Sequence, residues 1–336
     1  MLPDKNNRLT YLNQKEIMGD SPKISVLIPT YNYAYCLDET IQSVLNQTYT
    51  DFELIVVDDC SKDNTDEVMQ KHLLDKRVTY YKNEVNLGLV GNWNKCLALA
   101  KGDYIKYLCA DDKFRSDLLE KFVDIMEQYN NVSLITCEKE LFGGANRSIK
   151  LPLHNLQEGK KIIYHTLLTY GWLGEPTTVM FRRSNMKLGG FRADVTWLPD
   201  WEMWLRQLTV GDCYIIPEPL AYIRKHSNQV TKMVMKNYIN YFEEYYLTKA
   251  IKEQNGYHFD ISGIDMDQVL KIRAEKFTKV LLKLFPRIYR KRERKIFTEA
   301  LKIAYKEKVL FTSLKNIFGK KNSQNKPIGY RQSKAA

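Results

Sequence analysis

Two pairs of adjacent carboxylates, each following an apolar run, are the residues of this sequence best suited to chemistry. Asp58 and Asp59 follow "FELIVV", and Asp111 and Asp112 follow "YIKYLCA". Neighbouring carboxylates repel each other, and partial burial raises that cost, so a cation or several hydrogen-bond donors would relieve it. A solvated turn before a helix would also contain Asp. These short stretches alone leave both interpretations open.

Alternating strand and helix patterns place both pairs at one edge of a predicted sheet. The predicted strands cover residues 23–30, 52–59, 77–83, 103–112 and 132–141, and the predicted helices cover 36–47, 66–74, 89–102 and 116–129. This alternation predicts an α/β fold with a largely parallel sheet between helices, and Gly102 is a natural end for helix 89–102. Ligands of open α/β sheets bind beyond the carboxyl ends of the strands. Two carboxylate pairs at that edge therefore favour a binding site.

Composition limits the class of protein. The chain has 336 residues, 44% of them hydrophobic, and its six cysteines form no CxxC pair. The scattered cysteines argue against a zinc site or a disulfide framework and suit a reducing compartment. The polar N-terminal segment lacks the apolar core of a signal peptide, and no apolar run approaches the ~18 residues that span a membrane. We therefore expect a soluble, cytoplasmic protein.

The net charge of +11 is concentrated in the last part of the chain. Residues 271–336 contain 20 Lys or Arg and 4 Asp or Glu, a net charge of +16, which leaves about −5 for the first 270 residues. Blocks such as "RIYRKRERK" suit an anionic surface, either phospholipid or nucleic acid. The region beyond about residue 235 is predicted to be mostly helical. A shorter helix is predicted to begin near Asp200, where Trp201, Trp204, Leu205 and Leu208 recur at helical spacing.

Several separated motifs, taken in order, resemble the family 2 glycosyltransferases of the GT-A fold. They are "SVLIPTYNYAYCLDETIQSVLNQTYTDFELIVVDDCSKDNT", "NLGLVGNWNKCLALAKGDYIKYLCADD", "GGF", "PDWEMWLR" and "EPLAYIRKHSNQVT". The resemblance implies a Rossmann-like catalytic domain over 22–232, with a nucleotide-sugar half (22–115) and an acceptor half (116–232). A polar segment, 1–21, would precede this domain, and a basic, mostly helical region, 233–336, would follow it.

The resemblance implies a nucleotide site formed by Pro29, Tyr31, Asp58, Asp59 and Asp111. Pro29 and Tyr31 would line the base pocket, although Tyr31 could instead pack at the end of its strand. Asp59 would accept a hydrogen bond from an imide N–H such as that of uracil, because an ionised carboxylate only accepts. A UDP-sugar is therefore the favoured donor. For Asp58, capping of the following turn is an alternative role.

"YLCADD" lies where the family carries its DXD-type motif, which implies a divalent metal site. Asp111 would be the main ligand of Mn²⁺ or Mg²⁺, and Asp112 would assist or bind the donor sugar. Many members have Asp at the position of Cys109, and a thiol does not replace a carboxylate on a hard cation. His226 resembles an Arg-x-His element that contacts the metal or the diphosphate, and Arg224 could pair with phosphate. His226 could also be an ordinary surface or core residue, and Arg224 could equally be solvated.

Asp200 matches the Asp of the family's Glu-Asp signature, which supplies the catalytic base of inverting members. A placed carboxylate can remove the proton of an attacking hydroxyl. Here Pro199 replaces the Glu of the signature, and an Asp at this point could also be a helix N-cap. Glu202 is the alternative base or an acceptor contact. Trp172 and Trp197 could stack on sugar rings or belong to the core.

The resulting hypothesis is a metal-assisted, inverting hexosyltransferase acting on a glycan or lipid-linked glycan in bacterial surface polysaccharide or glycoconjugate synthesis. The alternative is a basic membrane- or nucleic-acid-binding protein on a degenerate GT-A fold without transfer. A third hypothesis, prompted by Cys109 and Pro199, is a member that binds nucleotide without transferring sugar. Nucleic acid is not an expected partner of the enzyme.

The basic C-terminal region leaves two interpretations open. It could form an amphipathic helix at the inner face of the cell membrane, since apolar residues interleave there with Lys and Arg. Those apolar residues are Val280, Leu281, Leu284, Phe285 and Ile288. It could equally form a helical subdomain that packs on the catalytic core and leaves a solvated basic face.

Overall fold

The computed structural model describes residues 21–144, 146–169, 173–226 and 238–310. Ten strands of these residues form one mixed sheet: β1 (Ile24–Thr30), β2 (Phe52–Asp58), β3 (Val78–Lys82), β4 (Tyr104–Tyr107), β5 (Lys113–Phe114), β6 (Val132–Gly143), β7 (Arg147–Ile149), β8 (Asn155–Gln157), β9 (Val179–Arg182) and β10 (Asp212–Lys225). The strand order is β3-β2-β1-β4-β9-β6-β10-β5, with β7 beside β6 and β8 beside β10.

Nine α-helices occur in the described ranges: α1 (Ala34–Leu45), α2 (Thr65–His72), α3 (Gly88–Leu99), α4 (Leu118–Gln128), α5 (Gly159–Thr169), α6 (Pro199–Gln207), α7 (Ile239–Lys252), α8 (Met266–Leu284) and α9 (Lys291–Lys306). Short 3₁₀ turns cover Pro176–Thr178, Arg183–Leu188 and Phe285–Arg287. The predicted α/β class, with helices flanking a central sheet and a helical C-terminal region, is confirmed.

The first half of the sheet is parallel, as predicted. Strand β1 lies between β2 and β4, and β3 pairs with β2, all in parallel. The apolar side chains of β1 and β2 are buried on both faces because helices cover both sides. Parallel sheets are covered in this way because their crossover helices lie on the two faces.

The second half of the sheet departs from the prediction. Strand β9 runs antiparallel between β4 and β6, so the sheet is mixed rather than largely parallel. Strand β4 ends at Tyr107, so the Asp111–Asp112 pair lies in the turn after the strand rather than at its last residues. The long strand β10 was not predicted. It contains Pro217 and Pro219, which interrupt the sequence pattern of a strand, and its register with β6 shifts around Pro219.

Gly102 has a different role from the predicted one. Helix α3 already ends at Leu99, with Ala100 as its C-cap. A Cβ atom on Gly102 would lie 2.5 Å from the backbone nitrogen of Ser25, and the Gly102 N–H donates to the Ser25 hydroxyl. Glycine is therefore needed here because the chain passes close to β1, which sets the start of β4.

The first of the C-terminal helices shares a buried core with the central sheet and α6. Leu247 and Ile251 of α7 belong to the same buried cluster as Trp201 and Trp204 of α6. Helices α8 and α9 form a further cluster in which Val280, Leu281 and Leu284 are buried. The packed-subdomain interpretation therefore holds for these three residues, whereas Phe285 and Ile288 are exposed. Among the described helices, none is both long and apolar enough to cross a membrane.

A fully buried lysine joins β4 to the turn that precedes β9. The Lys106 ammonium donates to the carbonyls of Thr177 and Val179 and lies 4.7 Å from the centroid of the Phe114 ring. Burial lowers the pKa of Lys106 to about 7. The lysine fixes the backbone at Thr177, whose side chain belongs to the site described below.

We expect Lys106→Met to lower the free energy of unfolding by about 2 kcal/mol, because buried carbonyls would lose their donor. Urea denaturation of both proteins measures the difference. The matched control is Lys76→Met at an exposed position, which should stay within about 0.5 kcal/mol of wild type. Equal stability of Lys106→Met and wild type would show that the ammonium does not hold this turn.

Candidate active site

The candidate site lies at the carboxyl edge of the parallel strands, where two segments far apart in the sequence meet. The turn at 109–112 follows β4, and the end of β10 runs beside β5, with Tyr222 opposite Lys113. This pairing brings Arg224 and His226 against the turn. The predicted DXD-type residues and the predicted Arg-x-His element are therefore adjacent in space.

Asp111 and His226 form the centre of this contact. His226 Nε2 lies 2.8 Å from Asp111 Oδ2, and the Asp111 carbonyl accepts a hydrogen bond of 2.9 Å from Arg224 Nε. No group of three or more His, Cys, Asp or Glu suited to a metal occurs among the described residues. One carboxylate and one imidazole nitrogen nevertheless fit a Mn²⁺ site in which substrate phosphates supply further ligands, whereas Mg²⁺ would use the carboxylate and the phosphates alone.

Asp112 faces the protein interior and is only 3% exposed. Its Oδ1 accepts the backbone N–H of Arg224 at 2.9 Å, and its Oδ2 accepts the Thr177 hydroxyl at 2.6 Å. Burial, followed by the charge of Asp111, raises the pKa of Asp112 well above its usual value. Both oxygens thus have donors from the chain itself, and the carboxylate joins the turn to β10 and to the 176–178 segment.

Two tyrosines surround the Asp111–His226 pair. The rings of Tyr33 and Tyr35 lie edge-on to the His226 ring, with centroids 6.0 and 6.3 Å away, and Tyr35 is 64% exposed. Sequence analysis missed this pair, although the repeated Tyr in "PTYNYAY" was a signal. Tyr31 is 44% exposed, which disfavours the alternative that it packs at the strand end. Pro29 is partly buried within β1.

Asp58 binds the turn that follows β2. Its Oδ1 accepts the backbone N–H of Ser61 at 3.0 Å and also the Ser61 hydroxyl. Its Oδ2 accepts the Tyr80 hydroxyl at 3.2 Å. Asp58 is fully buried, and this geometry corresponds to the turn-capping alternative.

Asp59 binds the start of α3. Its Oδ1 accepts the N–H of Leu87 at 2.7 Å and the Asn83 amide at 3.0 Å, and its Oδ2 accepts the N–H of Gly88 at 2.9 Å. A carboxylate has about four lone-pair positions. Three donors therefore leave about one position for a ligand.

Asp200 lies in the first turn of α6 and is not its N-cap, which is Leu198. Its Oδ1 accepts the N–H of Trp201 at 2.8 Å. The Asp200 side chain is partly buried. Burial raises the pKa of Asp200 to about 7, and the negative charge of Glu175 contributes in the same direction. A general base works best with a pKa near the operating pH.

Glu202 is fully buried, and both its oxygens are bound by Arg206. The Nε–Oε1 and Nη2–Oε2 distances are both 2.8 Å. Arg206 also donates to the carbonyls of Leu188 and Gly189, so Glu202 stabilises the "GGF" turn through Arg206. This pairing favours Asp200 over Glu202 as the base.

The remaining residues predicted to contact the substrates include Arg224, which binds other residues of the chain. The Arg224 guanidinium forms an ion pair with Glu39 in addition to its bond to Asp111. Trp197 is partly buried against the core. Trp172 lies outside the described residues. Residues 1–20 of the N-terminal segment and the predicted domain boundary at 232/233 also lie outside them. Glu175, which sequence analysis did not identify, pairs with Lys139 and lies close enough to Asp200 to affect its pKa.

Comparison with known sequences identifies related proteins. The family model described as "Glycosyl transferase family 2" matches residues 25–189. The putative glycosyltransferase EpsE of Bacillus subtilis is 30% identical over 219 residues, which cover 63% of this chain and 76% of EpsE. The putative teichuronic acid biosynthesis glycosyltransferase TuaG of the same organism is 39% identical over 106 residues, 31% of this chain and 42% of TuaG.

Solved structures have the same fold. TarS of S. aureus, in complex with UDP-GlcNAc, matches with a TM-score of 0.56 and 15% identity over 85% of this chain and 92% of the TarS chain. The mannosyltransferase PcManGT of Pyrobaculum calidifontis, in complex with GDP-Man and Mn²⁺, matches with a TM-score of 0.53 and 16% identity over 94% and 95% of the two chains. At this identity the likeness establishes the GT-A architecture.

Proposed function

Because the chain belongs to the family 2 glycosyltransferases, we propose that it transfers a hexosyl group from a UDP-sugar to an acceptor hydroxyl with inversion. The observation that carries this proposal is that Asp200 and the turn that contains Asp111 lie near one common residue, Glu175, whose negative charge raises the pKa of both Asp112 and Asp200. Asp111 pairs with His226 on the donor side. Asp200, whose pKa is raised to about 7, supplies a base on the acceptor side.

On the donor side, Asp111 and His226 would hold Mn²⁺, whereas Mg²⁺ would be held by Asp111. Such an ion, when bound, acts as a Lewis acid towards the departing diphosphate. Asp112 keeps the turn in place, and Tyr33 and Tyr35 offer ring surfaces beside His226. The structural neighbours bound to UDP-GlcNAc and to GDP-Man with Mn²⁺ support a nucleotide-sugar donor and a divalent metal.

The preference for uracil depends on Asp59. One lone-pair position of its carboxylate remains after its three donors from the chain, and the imide N–H of uracil would fit that position. The exposed ring of Tyr31 supplies a surface for the base. Asp58 takes the supporting role, because it holds the turn next to Asp59.

On the acceptor side, Asp200 would remove the proton of the attacking hydroxyl as the glycosidic bond forms. Its burial keeps the basicity of the carboxylate high, which improves proton removal near neutral pH. Glu175 and Lys139 form an ion pair near Asp200 and would line the acceptor side. TuaG, named for teichuronic acid biosynthesis, supports an acceptor in surface polysaccharide or glycoconjugate synthesis.

We further propose that the acceptor is a glycan on a lipid carrier and that the tip between α8 and α9 contacts the inner face of the membrane. Residues 283–295 contain seven Lys or Arg and one Glu. Phe285 and Tyr289 are 64% and 71% exposed within this basic segment. Exposed aromatic rings among basic side chains suit the interface of an anionic bilayer.

The first prediction concerns the donor site. Millimolar UDP with Mn²⁺ should raise the melting temperature of the wild type, because a ligand of the folded state at 100 times its Kd stabilises by about 2.7 kcal/mol. Asp111→Ala should abolish the metal-dependent part of this shift, whereas Asp124→Ala, at an exposed position of α4, should retain it. A UDP shift that is independent of both Mn²⁺ and Asp111 would contradict the proposed metal site.

The second prediction concerns the base. In the wild type, kcat should rise with pH through about 7, because only the ionised form of Asp200 accepts a proton. Asp200→Asn should lower kcat by about 10²–10⁴ and lose this dependence while keeping the UDP and Mn²⁺ shift. Glu202→Gln should instead cost about 3 kcal/mol of stability, since Arg206 loses its buried charged partner, and its folded fraction should keep the wild-type pH profile. If Glu202→Gln instead lowered kcat and abolished the pH dependence, while Asp200→Asn changed only stability, Glu202 would be the base.

The third prediction concerns the membrane. The protein should sediment with vesicles that contain phosphatidylglycerol but not with pure phosphatidylcholine, and salt should weaken the binding. The double variant Phe285→Ser and Tyr289→Ser should bind less, whereas Leu74→Ser, at an 87% exposed site on the catalytic region, should bind like wild type. Binding to a DNA duplex without binding to the vesicles would overturn the membrane proposal and favour a nucleic-acid partner.

A further inference from the structure

A glutamate of the C-terminal helices binds the backbone that leads into α6. Glu243, on α7, accepts the N–H of Thr196 at 2.6 Å and the Thr196 hydroxyl at 2.9 Å through Oε1. Its Oε2 accepts the N–H of Trp197 and, at 2.7 Å, the N–H of Leu198. One carboxylate thus satisfies three consecutive backbone donors immediately before the helix that carries Asp200.

These donors have no local substitute for Glu243. Helix α6 begins at Pro199, which lacks an N–H, and its N-cap residue, Leu198, makes no side-chain capping bond. Asp200 uses its own Oδ1 on the next N–H, that of Trp201. Backbone donors near a helix start need partners, and hydrogen bonds to a charged acceptor are among the stronger ones. The conformation of 196–198 therefore depends on a side chain supplied from α7.

Helix α7 is itself held firmly. Glu244, next to Glu243, is buried and pairs with Arg273 Nη1 at 3.0 Å and with Lys276 Nζ at 2.8 Å, both on α8. Arg273 also donates to the carbonyl of Leu167 in α5. These bonds, together with the packing of α7 in the core of α6, give Glu243 a fixed position relative to the catalytic region.

We propose that Glu243 is a positioning residue for glycosyl transfer, which from the C-terminal helices sets the location of Asp200 two residues beyond the backbone it binds. This inference rests on the proposed role of Asp200 as the base. In this proposal, the C-terminal helices help to hold the active site in place. A displacement of a reacting group by about 1 Å can cost on the order of 10² in rate, so loss of these bonds should appear in catalysis.

The test compares Glu243→Gln and Glu243→Ala with a matched control, Glu253→Gln. Glu253 follows the last residue of the same helix, and its 53% exposed side chain lies 3.5 Å from Lys249. Glu243→Gln retains one acceptor oxygen and should lose about 10-fold in kcat, and Glu243→Ala about 100-fold. The KM for the UDP-sugar and the stabilisation by UDP with Mn²⁺ should stay within twofold of wild type. The control should match wild type in all three.

A merely structural role would lower the melting temperature without changing kcat per folded molecule at 25 °C. Wild-type kcat in folded Glu243→Ala would therefore overturn the proposal. Should Glu243→Ala fail to fold, Glu243→Gln serves as the test with the same criterion.

The double variant Glu243→Gln and Asp200→Asn distinguishes a failure of this inference from a failure of the proposed function. The effects of two substitutions that act through one group are not additive. Glu243→Gln should therefore cause no further loss of kcat in the Asp200→Asn background. An undiminished further loss would show that Glu243 acts elsewhere and would overturn the inference while leaving the base assignment intact. Full activity of Asp200→Asn alone would refute the base assignment instead.

Discussion

The buried carboxylate of Asp112 is the constraint on which the site depends. Removing a carboxylate from water is costly unless donors replace the lost hydration. Its two donors, the Thr177 hydroxyl and the Arg224 N–H, lie 65 and 112 residues away in the chain. The turn after β4, the segment before β9 and the end of β10 must therefore assemble together. Lys106 reinforces this by binding the backbone on which Thr177 is carried.

In each pair of adjacent aspartates, the two carboxylates bind different partners. Asp112 points inward and fixes the turn, which leaves the Asp111 carboxylate facing His226. Asp58 holds the turn after β2, and Asp59 holds the start of α3. Like charges at neighbouring positions are tolerated because their side chains bind different partners. The repulsion inherent in the sequence is thus relieved largely by hydrogen bonds from the chain itself.

Local patterns predicted β1 to β4, β6 and α1 to α4, because each of these elements is determined by the periodicity of its own residues. They failed at β10, whose two prolines interrupt the pattern of a strand that is stabilised by pairing with β6, and they did not give the direction of β9, which is set by its neighbours. The two aspartate pairs were found from their position after apolar strands, whereas Asp200 and His226 were found through family motifs. Lys106 and Glu243 were missed because a charged side chain in a sequence is expected at the surface, and burial or capping by a distant segment leaves no local signal.

The C-terminal helices have two proposed roles, membrane contact and support of Asp200, and the composition of the chain suggests only the first. Their basic, aromatic tip is proposed to meet the membrane, while Glu243 of α7 binds the backbone before Asp200. Helices α7 and α8 are joined by the buried Glu244–Arg273 pair, and breaking such a pair leaves an uncompensated buried charge. The proposed membrane contact, at the end of α8, and the proposed support of the base by α7 would therefore depend on one packed unit. A lipid-linked acceptor held at the bilayer would then meet a base whose position is set by the same helices that dock there.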